Sequence, residues 1–191
     1  MPVGTLGLLI FLSAIFRLEA EPNHSTIGFS VPIASGMTRV TGKFTRFEAS
    51  VLYDADDPSR WTLEASIEAA SVDTGIDDRD EDLRGRDFFD TENHPRILFA
   101  SDEIERRGED YVARATLTIR GVTRAIELPF RVTVVDWEEG APLLGLAAEL
   151  SLNRTDFGVG TDWRHTLIPG FLGEEVKIEI FLWTKRGKRE R

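Results

Sequence analysis

Apolar and polar side chains alternate along most of the chain from residue 25 onward. The first such run places Ile27, Phe29, Val31 and Ile33 on one face, and Pro32 favours a position near a sheet edge because proline cannot donate to a ladder. The same alternation recurs in later segments, whose apolar faces begin at Trp61, Tyr111, Ile126, Leu144 and Val176. A period of two is typical of strands with one buried face. The pattern predicts an all-β fold, an antiparallel barrel or sandwich.

One stretch interrupts this alternation near residues 72–90. It carries acidic side chains early, a basic one late and Leu83 as a single large apolar residue before Phe88 and Phe89. Negative charge is stabilising near a helix N-terminus, so this order favours a short surface helix. We expect the helix to cover one end of the sheet, with the two phenylalanines as its anchor.

The two ends of the chain differ from the body. Leu6 to Phe16 is an apolar run of about eleven residues, too short for a bilayer span but suited to a signal peptide. We therefore interpret residues 1–17 as a signal peptide or an apolar N-terminal segment, with 18–184 as one β-barrel domain. The basic tail 185–191 is expected to fray. Export would place the protein in the periplasm or outside the cell.

The composition of the chain excludes several classes of partner and site. The chain has 191 residues, a formal net charge of -10 and no cysteine. This charge opposes binding to phosphate backbones, so nucleic acid is not expected as a partner. The absence of cysteine excludes disulfides and thiolate metal sites.

Catalytic chemistry is not indicated by any motif. His24, His94 and His165 are far apart and show no metal-ligand spacing, so we expect them at strand ends or in loops, with His24 near a barrel mouth. The acidic groups are interpreted as solvated turns and not as paired catalytic carboxylates; these groups are Asp54/Asp56/Asp57, Asp77 to Asp82 and Glu138/Glu139. We predict no catalytic residues, no metal site and no required cofactor.

The inward faces combine large apolar residues with alanines such as Ala65, Ala113 and Ala148. In a closed barrel, side chains this small can leave an apolar cavity for a lipophilic ligand. Alternatively, the phenylalanines fill the space and the interior is fully packed. The patterning by itself leaves both interpretations open.

Several ordered motifs bear on this choice. They are His24-Ser25, Gly42-Lys43-Phe44, Ser71-Val72-Asp73-Thr74-Gly75, Asp87-Phe88-Phe89-Asp90, Leu117-Thr118-Ile119-Arg120-Gly121-Val122-Thr123 and Arg154-Thr155-Asp156-Phe157-Gly158. In this order the sequence closely resembles the YceI-like family of polyisoprenoid-binding proteins. The resemblance implies an extended, lipocalin-like antiparallel β-barrel that encloses a long isoprenoid chain, in proteins that are typically periplasmic.

The resemblance, together with the alternation, implies a set of ligand-contacting side chains on the inner wall. These are Phe29, Val31, Phe44, Phe47, Leu63, Ile67, Phe88, Phe99, Ala115, Leu117, Ile119, Phe130, Leu146, Ala148, Phe157 and Ile178. The expected function is transport or storage of an isoprenoid lipid of the quinone or polyprenyl phosphate class, without a membrane-spanning segment. The alternatives are a hydrolase or metal-dependent enzyme that uses the scattered His and Asp, and a β interaction module with a filled core. The sequence pattern does not determine the oligomeric state, and a homodimer is possible.

The same motifs suggest local roles. Gly75, Gly121 and Gly158 suit turns that need a positive φ, and Asp73 or Asp77 is expected to cap the helix.

Two arginines flank turns on otherwise apolar strands. Arg120 and Arg154 are expected to pair with Asp80, Asp87 or Asp156 and so to hold the helical segment on the barrel, a structural role.

Overall fold

The computed structural model describes residues 14–136 and 142–187. Within these residues the chain forms one α-helix, α1 (Asp77–Arg84), and a series of antiparallel strands. The strands are β1 (Ile15–Ala20), β2 (Thr26–Ile33), β3 (Thr38–Phe44), β4 (Phe47–Asp54), β5 (Thr62–Glu68), β6 (Val72–Asp73), β7 (Arg96–Arg107), β8 (Asp110–Ile119), β9 (Val122–Asp136), β10 (Pro142–Asn153) and β11 (Glu175–Arg186).

Eight of the described strands close into a barrel in the order β1-β4-β5-β7-β8-β9-β10-β11, and β11 pairs back to β1. The predicted all-β barrel with a short helix is confirmed. Alternation also predicts the buried faces well, as along β5, where Leu63 and Ile67 are buried. Val134 differs, because it lies near the end of β9 and is largely exposed.

Strands β2, β3 and β6 extend the sheet beyond the ring. The edge position expected for β2 is wrong, since β2 pairs with β11 on one side and β3 on the other. Pro32 is tolerated because the pairing with β11 ends at Ser30. Beyond that point the Pro32 carbonyl accepts a hydrogen bond from the Gly173 amide at 2.8 Å.

The N-terminal end of α1 is held by a side chain of the helix itself, that of Asp80. The N-cap residue is Ile76, which provides no side-chain cap, so the expected capping by Asp73 or Asp77 is wrong. Instead, the buried Asp80 carboxylate accepts hydrogen bonds from the amide and hydroxyl of Thr74, at 2.9 and 2.6 Å. Asp73 accepts from the Gly75 amide, at the turn where Gly75 adopts φ +78.

The ordered strands extend past both expected domain limits. β1 begins at Ile15, inside the segment interpreted as a signal peptide, and β11 includes Lys185 and Arg186 of the expected tail. Most of the apolar N-terminal run, the carboxylates of Glu138 and Glu139 and the last residues 188–191 lie outside the described residues.

The interior divides into two clusters along the barrel axis. One cluster contains a run of aromatic rings in which Tyr53 contacts Trp61, Trp61 contacts Tyr111 and Tyr111 stacks on Phe130, with centroids 4.9, 4.8 and 5.5 Å apart. The Trp61 indole also donates to the Asp54 carbonyl at 2.6 Å. These rings fill one end of the barrel. The second cluster lies beneath α1 and the loops at the other end.

Candidate functional site

A cavity of about 190 Å³ lies inside the barrel, and apolar side chains from both clusters line it. Along β11 its wall includes Val176, Ile178, Ile180 and Leu182. At a strand rise of about 3.3 Å per residue, these positions span about 20 Å. The cavity therefore extends along much of β11 and is large for a protein interior, where voids bigger than a water molecule are few. The filled-core alternative is not supported.

Most side chains expected on the inner wall line this cavity. They are Phe29, Val31, Phe44, Leu63, Ile67, Phe88, Phe99, Leu117, Ile119, Leu146, Phe157 and Ile178. Phe47, Ala115, Phe130 and Ala148 are buried but are not part of the cavity wall.

Phe47 belongs to the cluster beneath α1 although it does not reach the free space, and the other three exceptions have different neighbours. Phe130 belongs to the aromatic run and lies directly opposite Ala148, so the two side chains pack against each other between the strands β9 and β10. Ala115 lies opposite Ser101, beside the irregular register that β7 shows between Ser101 and Glu103. Alternation predicts which side of a strand is buried, but not how far along the axis the free space extends.

Further wall residues were missed, for two different reasons. Some lie on inward faces that the alternation already marks, and these could have been found: Ile27, Ala65, Ile126, Leu128, Leu150, Leu152, Val176, Ile180 and Leu182. Others come from α1 and the loops, where no period applies: Leu83, Phe89, Val159 and Leu172.

The segment containing α1 covers the cavity as expected. Leu83, Phe88 and Phe89 all line it, and the Phe89 ring meets Phe44 edge-on at 5.6 Å. The Gly160 amide donates to the Asp87 carbonyl at 2.7 Å. This bond joins the α1 segment to the loops after β10.

Arg154 is the charged side chain at the same end of the cavity wall. Its guanidinium donates to the carbonyls of Val159 and Gly160 at 2.7 and 2.8 Å, and to those of Gly173 and Leu172 at 2.8 and 3.3 Å. Burial lowers the pKa of this guanidinium from its ordinary value, and nearby Glu174 opposes the change. Arg154 thus binds both ends of the loop formed by residues 161–172.

Arg120 plays a similar part from the β8–β9 turn. Its guanidinium donates to the carbonyls of Gly158 and Arg86, the latter at 2.6 Å. The expected ion pairs with Asp80, Asp87 or Asp156 are therefore wrong for both arginines, which bind main-chain carbonyls. The structural role itself is retained, because a planar guanidinium can join several carbonyls of separate segments.

The three histidines lie apart from the cavity wall. His165 accepts at Nδ1 from the amides of Leu167 and Ile168, a loop role as expected. His24 pairs with Glu21 at 2.5 Å and packs near Trp183 on the outer surface, so it does not line a barrel mouth. The hydrogen bond from His24 holds the pKa of the Glu21 carboxyl below its usual value.

The acidic turn after β4 is organised by its own main chain. Asp54 accepts from the amides of Asp56 and Asp57 and pairs with Arg60 at 2.8 Å. Asp57 accepts from the Ser59 amide.

Among residues 14–136 and 142–187 there is no group of three or more His, Cys, Asp or Glu side chains suited to a metal ion. The described part of the chain likewise has no helix of the length and hydropathy needed to cross a bilayer.

An antiparallel barrel filled at one end and holding a long apolar cavity defines a ligand-binding β-barrel of the lipocalin-like class. The sequence profile of the YceI-like domain matches residues 18–182, and the chain belongs to the YceI-like family. A UPF0312 protein of Pectobacterium carotovorum is 31% identical over 152 residues, which cover 79% of each chain.

Solved structures agree with the fold. BcnA of Burkholderia cenocepacia superposes with a TM-score of 0.76 at 25% identity, covering 87% of this chain and 99% of that one. A polyisoprenoid binding domain from Saccharophagus degradans, implicated in plant cell wall breakdown, gives a TM-score of 0.72 at 17% identity, covering 90% and 99%.

Proposed function

We propose that the protein binds a long-chain isoprenoid lipid in the barrel cavity and carries or stores it. The observation that carries this proposal is the shape and chemistry of the cavity. Its wall is apolar along about 20 Å of β11, which suits an extended hydrocarbon chain better than a compact metabolite.

Burial of the chain supplies most of the binding free energy in this proposal. Each buried CH₂ contributes about 0.8 kcal/mol, so a polyisoprenoid needs few polar contacts. The branched methyl groups of such a chain would pack against the aliphatic and aromatic wall, as between Phe29, Ile119 and Ile178. The isoprenoid-binding neighbour from Saccharophagus degradans is consistent with this choice of ligand.

The polar end of the ligand is assigned to the end of the cavity at Arg154. Four carbonyls occupy most of the donors of its guanidinium, which has five N–H groups. The remaining donor suits a quinone oxygen, and the positive charge suits a polyprenyl phosphate. We include both head groups in the proposal.

We further propose that the protein is exported and acts in the periplasm or outside the cell. The apolar run that begins at Leu6 supports this location. A lipid carrier between membranes would work in such an aqueous compartment.

Organic extraction of the purified protein followed by mass spectrometry tests the ligand. We expect about one isoprenoid per chain, with the head group identified by its mass. Repeated extraction without isoprenoid, or with phospholipid in its place, would contradict the proposal. A parallel extract of an unrelated protein purified from the same cells controls for membrane carry-over.

A further inference from the structure

Two neighbouring surface segments expose large apolar side chains at the loop end of the barrel. Met37 lies in the turn between β2 and β3 and is 88% exposed, and Leu167 in the 161–172 loop is 84% exposed. Ile168 beside it is 41% exposed. Isolated apolar residues on a surface are common, but side chains this exposed on adjoining tips are not accounted for by packing.

The two tips are joined by main-chain hydrogen bonds. The Ala34 amide donates to the Phe171 carbonyl at 2.7 Å, and Ile33 forms a β-bridge with Leu172. These bonds hold the two segments side by side, within a few residues of Met37 and of Leu167.

This surface lies next to the cavity. Leu172 ends the loop and lines the cavity wall, and Val31 on the adjoining strand does the same. The opposite end of the barrel is filled by the buried rings of Tyr53, Trp61 and Phe130. A ligand therefore has to enter at the end where α1 and loops form the cover.

The charges near the tips determine which partner fits. In residues 33–39 and 161–174 the two basic side chains, Arg39 and Arg164, are balanced by Asp162 and Glu174. The acidic helix α1 covers the same end and would oppose an anionic surface. The Trp163 ring packs near Phe88 of the segment containing α1 and near Phe171 of the 161–172 loop, and aromatic side chains of this kind favour a membrane interface.

We propose that Met37, Leu167 and Ile168 insert into the surface of a lipid bilayer and place the loop end of the cavity against it. The partner is a neutral, zwitterionic bilayer, and the attraction is apolar. This inference rests on the proposed function, because a lipid of low aqueous solubility has to be taken from a membrane. Arg154 holds both ends of the 161–172 loop and so presents Leu167 and Ile168 outward.

Flotation with phosphatidylcholine vesicles tests the proposal. We expect the parent protein to float with the vesicles at low and high salt alike. The double variant Met37→Ser/Leu167→Ser should partition at least about tenfold less, since it loses two large apolar side chains whose burial in the bilayer drives binding. Both positions are exposed, so the melting temperature should not change.

Phe181→Ser is the matched control, because Phe181 is 57% exposed on the outer wall of β11, away from the tips. It should float like the parent. The proposal is overturned if the parent does not bind, if the double variant binds as well as the parent, or if Phe181→Ser loses as much binding. Binding that requires anionic lipid and disappears in salt also overturns it.

Lipid extraction separates this inference from the proposed function. A parent that floats through its tips but yields no isoprenoid would contradict the cavity's proposed ligand and leave the docking surface standing. A parent protein that yields an isoprenoid but never floats would contradict the docking surface alone. A protein would then be the better candidate partner for the exposed surface.

Discussion

Ala49 and Ala65 lie directly opposite each other on strands β4 and β5, and both side chains line the cavity. Two of the smallest side chains thus meet on one wall, where larger residues would occupy the cavity. Larger side chains at these two positions would extend into the cavity, whereas Ala115 and Ala148 do not line it.

We predict that Ala65→Phe fills part of the cavity and displaces the lipid with little loss of stability. The new ring enters existing free space, so the free energy of unfolding should change by less than about 1 kcal/mol. Mass spectrometry of the extracted protein and thermal unfolding measure the two effects. Retention of stoichiometric lipid by this variant would argue against the cavity as the binding site.

Ala148→Phe is the control for that experiment. Ala148 lies directly opposite Phe130 in the same packed cluster, so a larger ring would collide with the Phe130 ring. We expect overpacking to lower the free energy of unfolding by about 1 to 3 kcal/mol. An unchanged melting temperature would show that there is free space beside Ala148 and would contradict this packing.

A second prediction concerns Arg154. In Arg154→Lys the charge is kept but the planar fork is lost, so several carbonyls at the two ends of the 161–172 loop lose their donors. We expect a loss of about 2 to 3 kcal/mol of stability, together with faster amide hydrogen exchange in the loop. Arg164→Lys is the control, because exposed Arg164 bonds to neighbouring carbonyls of its own loop. Equal effects of the two variants would contradict the role given to Arg154.

The contact between Gly42 and Phe29 gives a third prediction. A Cβ atom at Gly42 would lie 2.5 Å from the Phe29 ring and 2.8 Å from the Thr74 methyl group. Gly42→Ala should therefore displace Phe29 and cost about 1 to 3 kcal/mol in thermal unfolding. At Gly28 the same atom would make ordinary contacts of 3.6 Å or more. Gly28→Ala should be better tolerated, and the reverse order of melting temperatures would refute this packing.

A fourth prediction concerns the helical cover. Asp80→Ala removes the acceptor of the Thr74 amide and hydroxyl, and we expect a loss of about 1 to 3 kcal/mol. Hydrogen exchange should rise most in α1. Asp82→Ala, at an exposed position of the same helix, should have little effect on either measurement. Similar protection of α1 in both variants would show that Asp80 does not hold the helix.

The strands and their buried faces follow from the alternation of side chains along the chain. Successive side chains point to opposite sides of a strand, so Leu63 and Ile67 are assigned to the interior without knowledge of the fold. The helix near residues 77–84 was also predictable, because its acidic start and single apolar residue act locally.

The position of the free space and of its cover depends on contacts between segments that are far apart in the chain. Phe130 and Leu146 both face inward, yet Phe130 joins the aromatic run and Leu146 lines the cavity. Their difference depends on which side chains the other strands bring against them, and this follows from register and barrel closure between strands far apart in sequence. The acceptors of Arg154 were likewise unpredictable. They are main-chain carbonyls, which every residue carries, so no side-chain pattern indicates which of them a folded chain brings to one guanidinium.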